Sequence, residues 1–333
     1  MSHPLLIDPS LPGLAGALSL ERMSAELAPL AAHLSPYPSA GWRVRAVDVL
    51  KYKPARRCAL AYTLESPKGS LRLFAKTFHS HRGAAILMTM DRFWRALDLQ
   101  ALSIPRPLGY VSDLKLLVTE FVSGIPLATE LYRGSSAEPA RRMARALAAV
   151  HASAVSCAQQ WTSALELENS EKWIRGLIGH PALASDRALG LLDRLRRWSS
   201  VLRPTPPRPI HRDFYLDQLL DSDGRTVLVD LDDARSGDPA LDVGNFLAHL
   251  VLRPIQFPET AAACRRARDC FESEYRSRAP VEEDFRIRTR FYEASSLLRL
   301  AGVYAGRQRW SESVPTPLLD ACERMLPGER RVQ

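Results

Sequence analysis

Carboxylates concentrate in one stretch of this chain, Ile210 to Phe246, where Asp213, Asp217, Asp221, Asp230, Asp232, Asp233, Asp238 and Asp242 flank two short apolar segments around Leu219 and Leu228. Acidic groups crowded in this way repel one another unless cations or hydrogen-bond donors offset the repulsion. A divalent metal would do so. The order His211-Arg212-Asp213, then the amide of Gln218, then Asp230 directly after an apolar run, supplies a carboxylate base and two oxygen ligands for such an ion. Asp223-Gly224 between the apolar segments predicts a hairpin, with Asp213 and Gln218 ahead of one strand and Asp230 behind its partner, so that side chains from the two ends converge.

The rest of the chain must hold these groups in place. Its 333 residues exceed the size at which one core usually keeps growing, which predicts two lobes. Hydrophobic residues at 46% and charged residues at 25% are ordinary for a folded, water-soluble chain. No apolar run is long enough for a membrane span, and the N-terminus lacks a basic-then-apolar leader pattern, so a cytoplasmic protein with no membrane partner is expected. The five cysteines are scattered and odd in number, which argues against a disulfide framework or a zinc site. The net charge of +8 sits largely in Arg-rich helical stretches such as Arg265 to Arg268, read as solvated faces with no nucleic-acid partner.

Hydrophobic periodicity divides the chain. A helix over Leu20 to His33, capped by Ser19, precedes strands at Trp42–Leu50, Cys58–Leu64, Ser70–Phe78 and Leu114–Phe121, with a turn at Ile104–Tyr110 and a helix over Gly83–Leu99. Beyond Ser136 the period becomes helical, through Pro139–His151, Glu171–Ile178, Asp186–Ser200, Ala261–Arg278, Glu282–Gly306 and Pro317–Leu326. The class is therefore α+β: a small antiparallel-sheet lobe over residues 1–122 and a larger, mostly helical lobe over 123–333. His151 reads as a satisfied core or capping histidine. Lys76 lies near the end of the alternating strand Ser70–Phe78 among apolar neighbours, a position that calls for an anion. The loop Lys51 to Arg57 is basic and lacks glycine. It is either a phosphate-covering loop that works through Lys53, Arg56 or Arg57, or a solvated basic turn.

The motifs His211-Arg212-Asp213, Gln218, Val229-Asp230 and Gly237-Asp238-Pro239-Ala240 with Asp242 resemble the aminoglycoside phosphotransferase and choline kinase superfamily, small-molecule relatives of protein kinases. Weaker matches at Phe74-Ala75-Lys76, Leu117 to Phe121, Gly124 to Leu127 and Leu147 to His151 extend the likeness over roughly residues 43 to 250. The resemblance implies a two-lobed protein-kinase-like fold and transfer of the γ-phosphoryl group of ATP or GTP to a hydroxyl of a small molecule, with Mg²⁺ as the metal. It implies Asp213 as catalytic base, Gln218 and Asp230 as metal ligands, and Lys76 as the nucleotide-positioning cation. It also implies Asp91 on the following helix as the acid that orients Lys76, Arg56 at the phosphates, and the connector Glu120 to Ser123, Val122 included, at the adenine edge through main chain. Asp238 and Asp242 would fix the metal loop and cap the helix near Leu241. Three departures stand out: Gln218 in place of Asn, Arg212 where such kinases often have Gly, and the loop without glycine. They define the alternative, a non-catalytic nucleotide-binding pseudokinase or sensor. A protein kinase is disfavoured because no activation-loop sequence separates Asp230 from Gly237. The acids Asp217, Asp232, Asp233, Glu282, Glu283, Asp284 and Glu293 are candidates for an acceptor cleft. Acceptor identity and oligomeric state stay open at this level.

Overall fold

A computed structural model describes residues 7–35, 41–99, 102–133, 136–179, 185–279 and 282–327. The chain divides into two compact units, one formed by Met1–Gly124 with Ser222–Asp232, the other by Ile125–Asp221 with Asp233–Gln333. The first contains α1 (Leu14–Ala17), α2 (Leu20–Ala32), β1 (Arg43–Lys53), β2 (Arg57–Ser66), β3 (Gly69–Phe78), α3 (Arg82–Ala96), β4 (Pro107–Val111) and β5 (Leu116–Glu120). The second contains β6 (Ile125–Pro126), α4 (Leu127–Arg133), α5 (Glu138–Ala152), β7 (Gln160–Trp161), α6 (Ser163–Arg175), α7 (Ser185–Ser199), β8 (Arg208–Ile210) and β9 (Leu219–Ser222). Next in the chain is β10 (Arg225–Leu228), which belongs to the first unit. The second unit resumes with β11 (Arg235–Gly237), α8 (Ala240–Gln256), α9 (Ala261–Arg278), α10 (Phe285–Ala305) and α11 (Pro315–Met325). No described helix is long and apolar enough to cross a membrane.

Strands β1 to β5 form one antiparallel sheet in the order β1-β2-β3-β5-β4. Alternation sorts β3 cleanly: Leu73 and Ala75 join Leu60, Tyr62 and Val118 against Met23, Leu27 and Ala31 of α2, which places Lys76 on the opposite face. Ser19 caps α2 by accepting the Arg22 N–H, as the sequence suggests. The Ile104–Tyr110 segment is more than a turn. Its second half is the edge strand β4, which opens on Pro107, a residue tolerated at a strand start because it has no N–H to offer a neighbour.

The sequence division at residue 122 assigned all that follows to the second lobe, yet Ser222–Asp232 packs with the first unit. Ser103 donates its N–H to the Thr226 carbonyl at 3.0 Å and accepts the Leu228 N–H at 2.9 Å, a pairing too distant in sequence to be visible there. Asp223 and Gly224 both adopt positive φ (52° and 80°), the conformation of the tight turn that Asp-Gly predicts.

Helices α8 and α10 form the core contact of the second unit. Their backbones meet at Gly244, where an added Cβ would lie 2.6 Å from the Glu293 nitrogen and 2.8 Å from the Thr289 carbonyl oxygen. Backbone cannot rotate aside as a side chain can, so overpacking here forces the helices apart. Gly244→Ala is expected to destabilise the fold by about 2 kcal/mol or more, seen as a lowered Tm in thermal unfolding.

Candidate active site

The candidate residues fall into two groups, one in each unit. In the first, Lys76 is 9% exposed, and its ammonium bonds Asp230 Oδ1 at 2.6 Å and Asp232 Oδ1 at 2.9 Å. Burial pulls the Lys76 ammonium down, but the carboxylates of Asp232 and Asp230 outweigh it and the net shift is upward, so the side chain is a cation at any working pH. Asp232 is 5% exposed and its second oxygen accepts from Arg57 Nη1 at 2.7 Å. Burial pushes its carboxyl up, against the pull of Lys76. Arg82, in the first turn of α3, donates to the Asp232 carbonyl at 3.0 Å. Asp232 thus gathers β2 and β3 through its carboxylate and α3 through its carbonyl. Asp230 sits at φ 61°, in the left-handed region that Asp tolerates better than most residues.

Asp91 is not the partner of Lys76. Its carboxylate pairs with Arg95 one helical turn on, at 2.9 Å, on the exposed side of α3. Asp232 holds Lys76 where the sequence reading expected Asp91, and it was there counted among acids for an acceptor. The one sequence signal that could have found it is its spacing, two residues after Asp230.

The basic loop between β1 and β2 is a tight turn with Ala55 at φ 55°. Asp8 supports it, accepting the Ala55 N–H at 2.8 Å and the Tyr52 hydroxyl at 2.9 Å. Lys53 is pulled down by burial and then by Arg57, Lys51 and Arg56, a crowding of like charge that an anion would relieve. Arg56 is exposed, and its main chain closes the turn by accepting the His79 N–H and donating to the Lys53 carbonyl. At the connector, the Glu120 N–H is already committed to the Arg106 carbonyl at 2.9 Å, while Val122 is half-buried in an irregular segment outside any strand.

In the second unit, Asp213 is half-buried in the loop between β8 and the 3-10 turn Leu216–Gln218, and Gln218 is buried at the end of that turn. The peptide bonds leading into Asp213 are clamped from below. Asp242, fully buried in the first turn of α8, accepts the N–H groups of His211 and Arg212, both at 2.6 Å, and its Oδ2 lies 3.0 Å from His151 Nε2. His151 Nδ1 in turn lies 2.7 Å from the Tyr275 hydroxyl. Asp242 therefore anchors the loop that carries Asp213, and the cap of α8 falls to Asp238, whose Oδ1 accepts the Ala240 N–H at 3.0 Å and whose Oδ2 bonds Arg288 at 2.9 Å.

Arg212 sits at φ 70°, a region that favours glycine and costs other residues of order 1 kcal/mol. Its N–H bond to Asp242 and the stacking of its guanidinium 3.6 Å over Trp161 offset that cost, which accounts for an Arg at this position. On the next turn of the loop, the Phe214 carbonyl accepts from Asn245, whose side-chain oxygen accepts from Arg299 at 2.7 Å. Tyr215 stacks on His249 at 4.7 Å, and burial, then Arg299 and Arg307, pull that imidazole down to about 3. The histidine beside the loop is thus neutral, and Arg299 is itself met by Glu166 at 3.5 Å. Most acids considered for a cationic acceptor are already engaged: Asp232 as above, Asp233 with Arg212, Glu282 and Asp284 with Arg288, and Glu293 with Arg268. If the Asp242 clamp sets the Asp213 loop, Asp242→Asn, which replaces a charged double acceptor by an amide, should lower stability by about 2–4 kcal/mol in chemical unfolding.

A model of the phosphotransferase enzyme family matches residues 58–281. No curated protein sequence matches the chain. Among solved structures, the choline kinase LicA from Streptococcus pneumoniae is similar at a TM-score of 0.60 and 14% identity, over 92% of this chain and 97% of that one. The aminoglycoside phosphotransferase APH(4)-Ia aligns at 0.59 and 17%, over 92% and 99%. The amicoumacin kinase hAmiN, solved with AMP-PNP, Ca²⁺ and Ami, aligns at 0.59 and 15%, over 94% and 97%. At these identities the likeness carries the fold, an α+β kinase-like architecture, and the family match covers well over half of the residues. The chain belongs to the phosphotransferase enzyme family.

Proposed function

We propose that the chain transfers the γ-phosphoryl group of ATP or GTP to a hydroxyl of a small molecule. The observation that carries this reading is the buried Lys76, a cation fixed at a strand end by Asp232 and Asp230 beside a loop whose own cations crowd one another. Such an arrangement suits polyphosphate, because an anion arriving there meets charges already desolvated and aligned. Lys76 contacts phosphate oxygens while Asp232 keeps it in place. Lys53 and Arg56 cover the phosphates, and the connector around Val122 meets the base through main chain. Asp91 has no part in this.

Asp230 and Gln218 would hold Mg²⁺. Among the described residues no three carboxylate, histidine or cysteine side chains gather as a metal cage. Mg²⁺ takes one or two protein oxygens and completes its shell with phosphate and water. Asp230, whose side chain is 30% exposed, can serve. When bound, the ion neutralises charge on the bridging phosphates. Asp213 takes the proton of the acceptor hydroxyl as its oxygen bonds to the γ-phosphorus, the bond to the β-phosphate oxygen breaks and the nucleoside diphosphate leaves. Alignment carries most of the rate in such a loose transition state, which is why the clamp on the Asp213 loop matters.

The neutral His249 stacked on Tyr215, with the nearby acids already held by arginines, supports an acceptor that is uncharged or anionic rather than polycationic. The kinases of similar fold solved with nucleotide analogue and divalent ion are in keeping with this cofactor pair. A cytoplasmic setting, where ATP and Mg²⁺ are abundant, fits the proposal. Nucleotide consumption measured over a panel of neutral, anionic and cationic hydroxyl compounds should give turnover on members of the first two classes. Asp213→Asn should cut that turnover by about 10²–10³-fold while leaving nucleotide binding intact. Nucleotide binding without turnover on any class would instead favour the sensor.

A further inference from the structure

Behind the Asp213 loop, helix α8 turns a second face to a cavity of about 690 Å³ enclosed with α9, α10 and α11. Val243, Leu247 and Val251 line its floor, at helical spacing on the face opposite Asn245 and His249. The cavity is therefore a different place from the acceptor side of the catalytic loop.

Its walls are strongly basic. Arg268, Arg276, Arg286, Arg290 and Arg324 line it against two acids, Glu272 and Glu293, a local balance of +3. Glu293 is spent on Arg268, which it receives in a two-pronged bond at 2.7 Å each, and Glu272 lies 3.5 Å from Arg276. Arg290 donates to the carbonyls of Met325 and Arg324 at the end of α11. Among the described residues no carboxylate pairs with Arg286, Arg290 or Arg324.

Thr289 also lines the cavity. It is 6% exposed, and its hydroxyl oxygen is buried with no hydrogen-bond partner among the described residues. A helical threonine ordinarily bonds the carbonyl one turn back, and a buried hydroxyl left without a partner is uncommon. A ligand atom would complete it.

We infer that this cavity binds a small organic dianion, a phosphomonoester or a dicarboxylate with an apolar body. The body rests against the half-buried Val251 and Met325, the charges meet the arginines, and one oxygen reaches Thr289. The volume falls within the range of small-molecule sites, and three cations without acidic partners match two negative charges with one to spare. A cavity that pairs the half-buried apolar Val251 and Met325 with charged walls selects against inorganic ions, which leave that apolar surface in water.

The inference stands apart from the proposed phosphoryl transfer and is tested without nucleotide or metal. The probes, titrated calorimetrically into the full chain, are phenyl phosphate and phthalate, with inorganic phosphate for comparison. One or both organic dianions should bind saturably at one site per chain, more tightly than inorganic phosphate, the stronger of the two identifying the anion type. Arg286→Glu combined with Arg324→Glu, both exposed positions, should weaken binding at least about tenfold, and Thr289→Val about threefold or more. Thermal melts would verify that both variants fold. No saturable binding by either organic probe overturns the inference, as does binding that inorganic phosphate equals. Binding lost in Lys76→Ala but kept in the arginine variant would assign the anion to the nucleotide site and also overturn it. Weakening by the arginine change but not by Thr289→Val would mean surface attraction alone, with no built site.

Discussion

An ammonium group taken out of water is tolerated only where fixed negative charge replaces the lost hydration, and Lys76 meets that condition through Asp232 and Asp230. Much of the first unit follows from it. Asp232, itself buried, needs a second cation and finds Arg57 across the neighbouring strand. The segment carrying both acids is tied to the first unit by the pairing of β10 with Ser103, and Asp230 turns through the left-handed region beyond it. Removal of either partner would leave a buried charge uncompensated, so the cluster behaves as one unit.

The second unit repeats the principle with the signs exchanged. Asp242 is a buried carboxylate satisfied by two peptide N–H groups and His151, and its effect is to anchor the loop that carries Asp213. The acid-rich stretch that first suggested a bound cation proves to be neutralised mostly from within. Arg142 pairs with Asp221, Lys76 and Arg57 with Asp232, Arg212 with Asp233, and Arg288 with Asp238. The arginine excess of the composition is therefore partly structural.

What could be read from the sequence was whatever a local period or turn encodes. The alternation of β3 located Lys76, Ser19 located the start of α2, and Asp223-Gly224 located a turn with two positive φ values. What escaped depended on contacts between distant segments. Asp91 had the expected place on a helix, but α3 presents it to Arg95 and solvent, while Asp232 reaches Lys76 from 156 residues away in the chain. Thr162 caps α6 well before the Glu171 start read from periodicity, because Leu165 and Leu167 alternate with Glu166 and Glu168 there and hide the helical spacing. Gly244 looked unremarkable until two helices were seen to touch there. Arg212 for glycine looked like a functional departure, yet stacking and a backbone bond suffice to hold it.

The central claim is that Asp232, not a helix carboxylate, sets Lys76 for nucleotide. Equilibrium binding of ATP with Mg²⁺ to Asp232→Asn and to Asp91→Asn, each verified as folded, tests it in one comparison. The account predicts affinity at least about tenfold weaker for Asp232→Asn and unchanged within about twofold for Asp91→Asn. The reverse pattern, or equal affinity in both variants and the wild type, would contradict it.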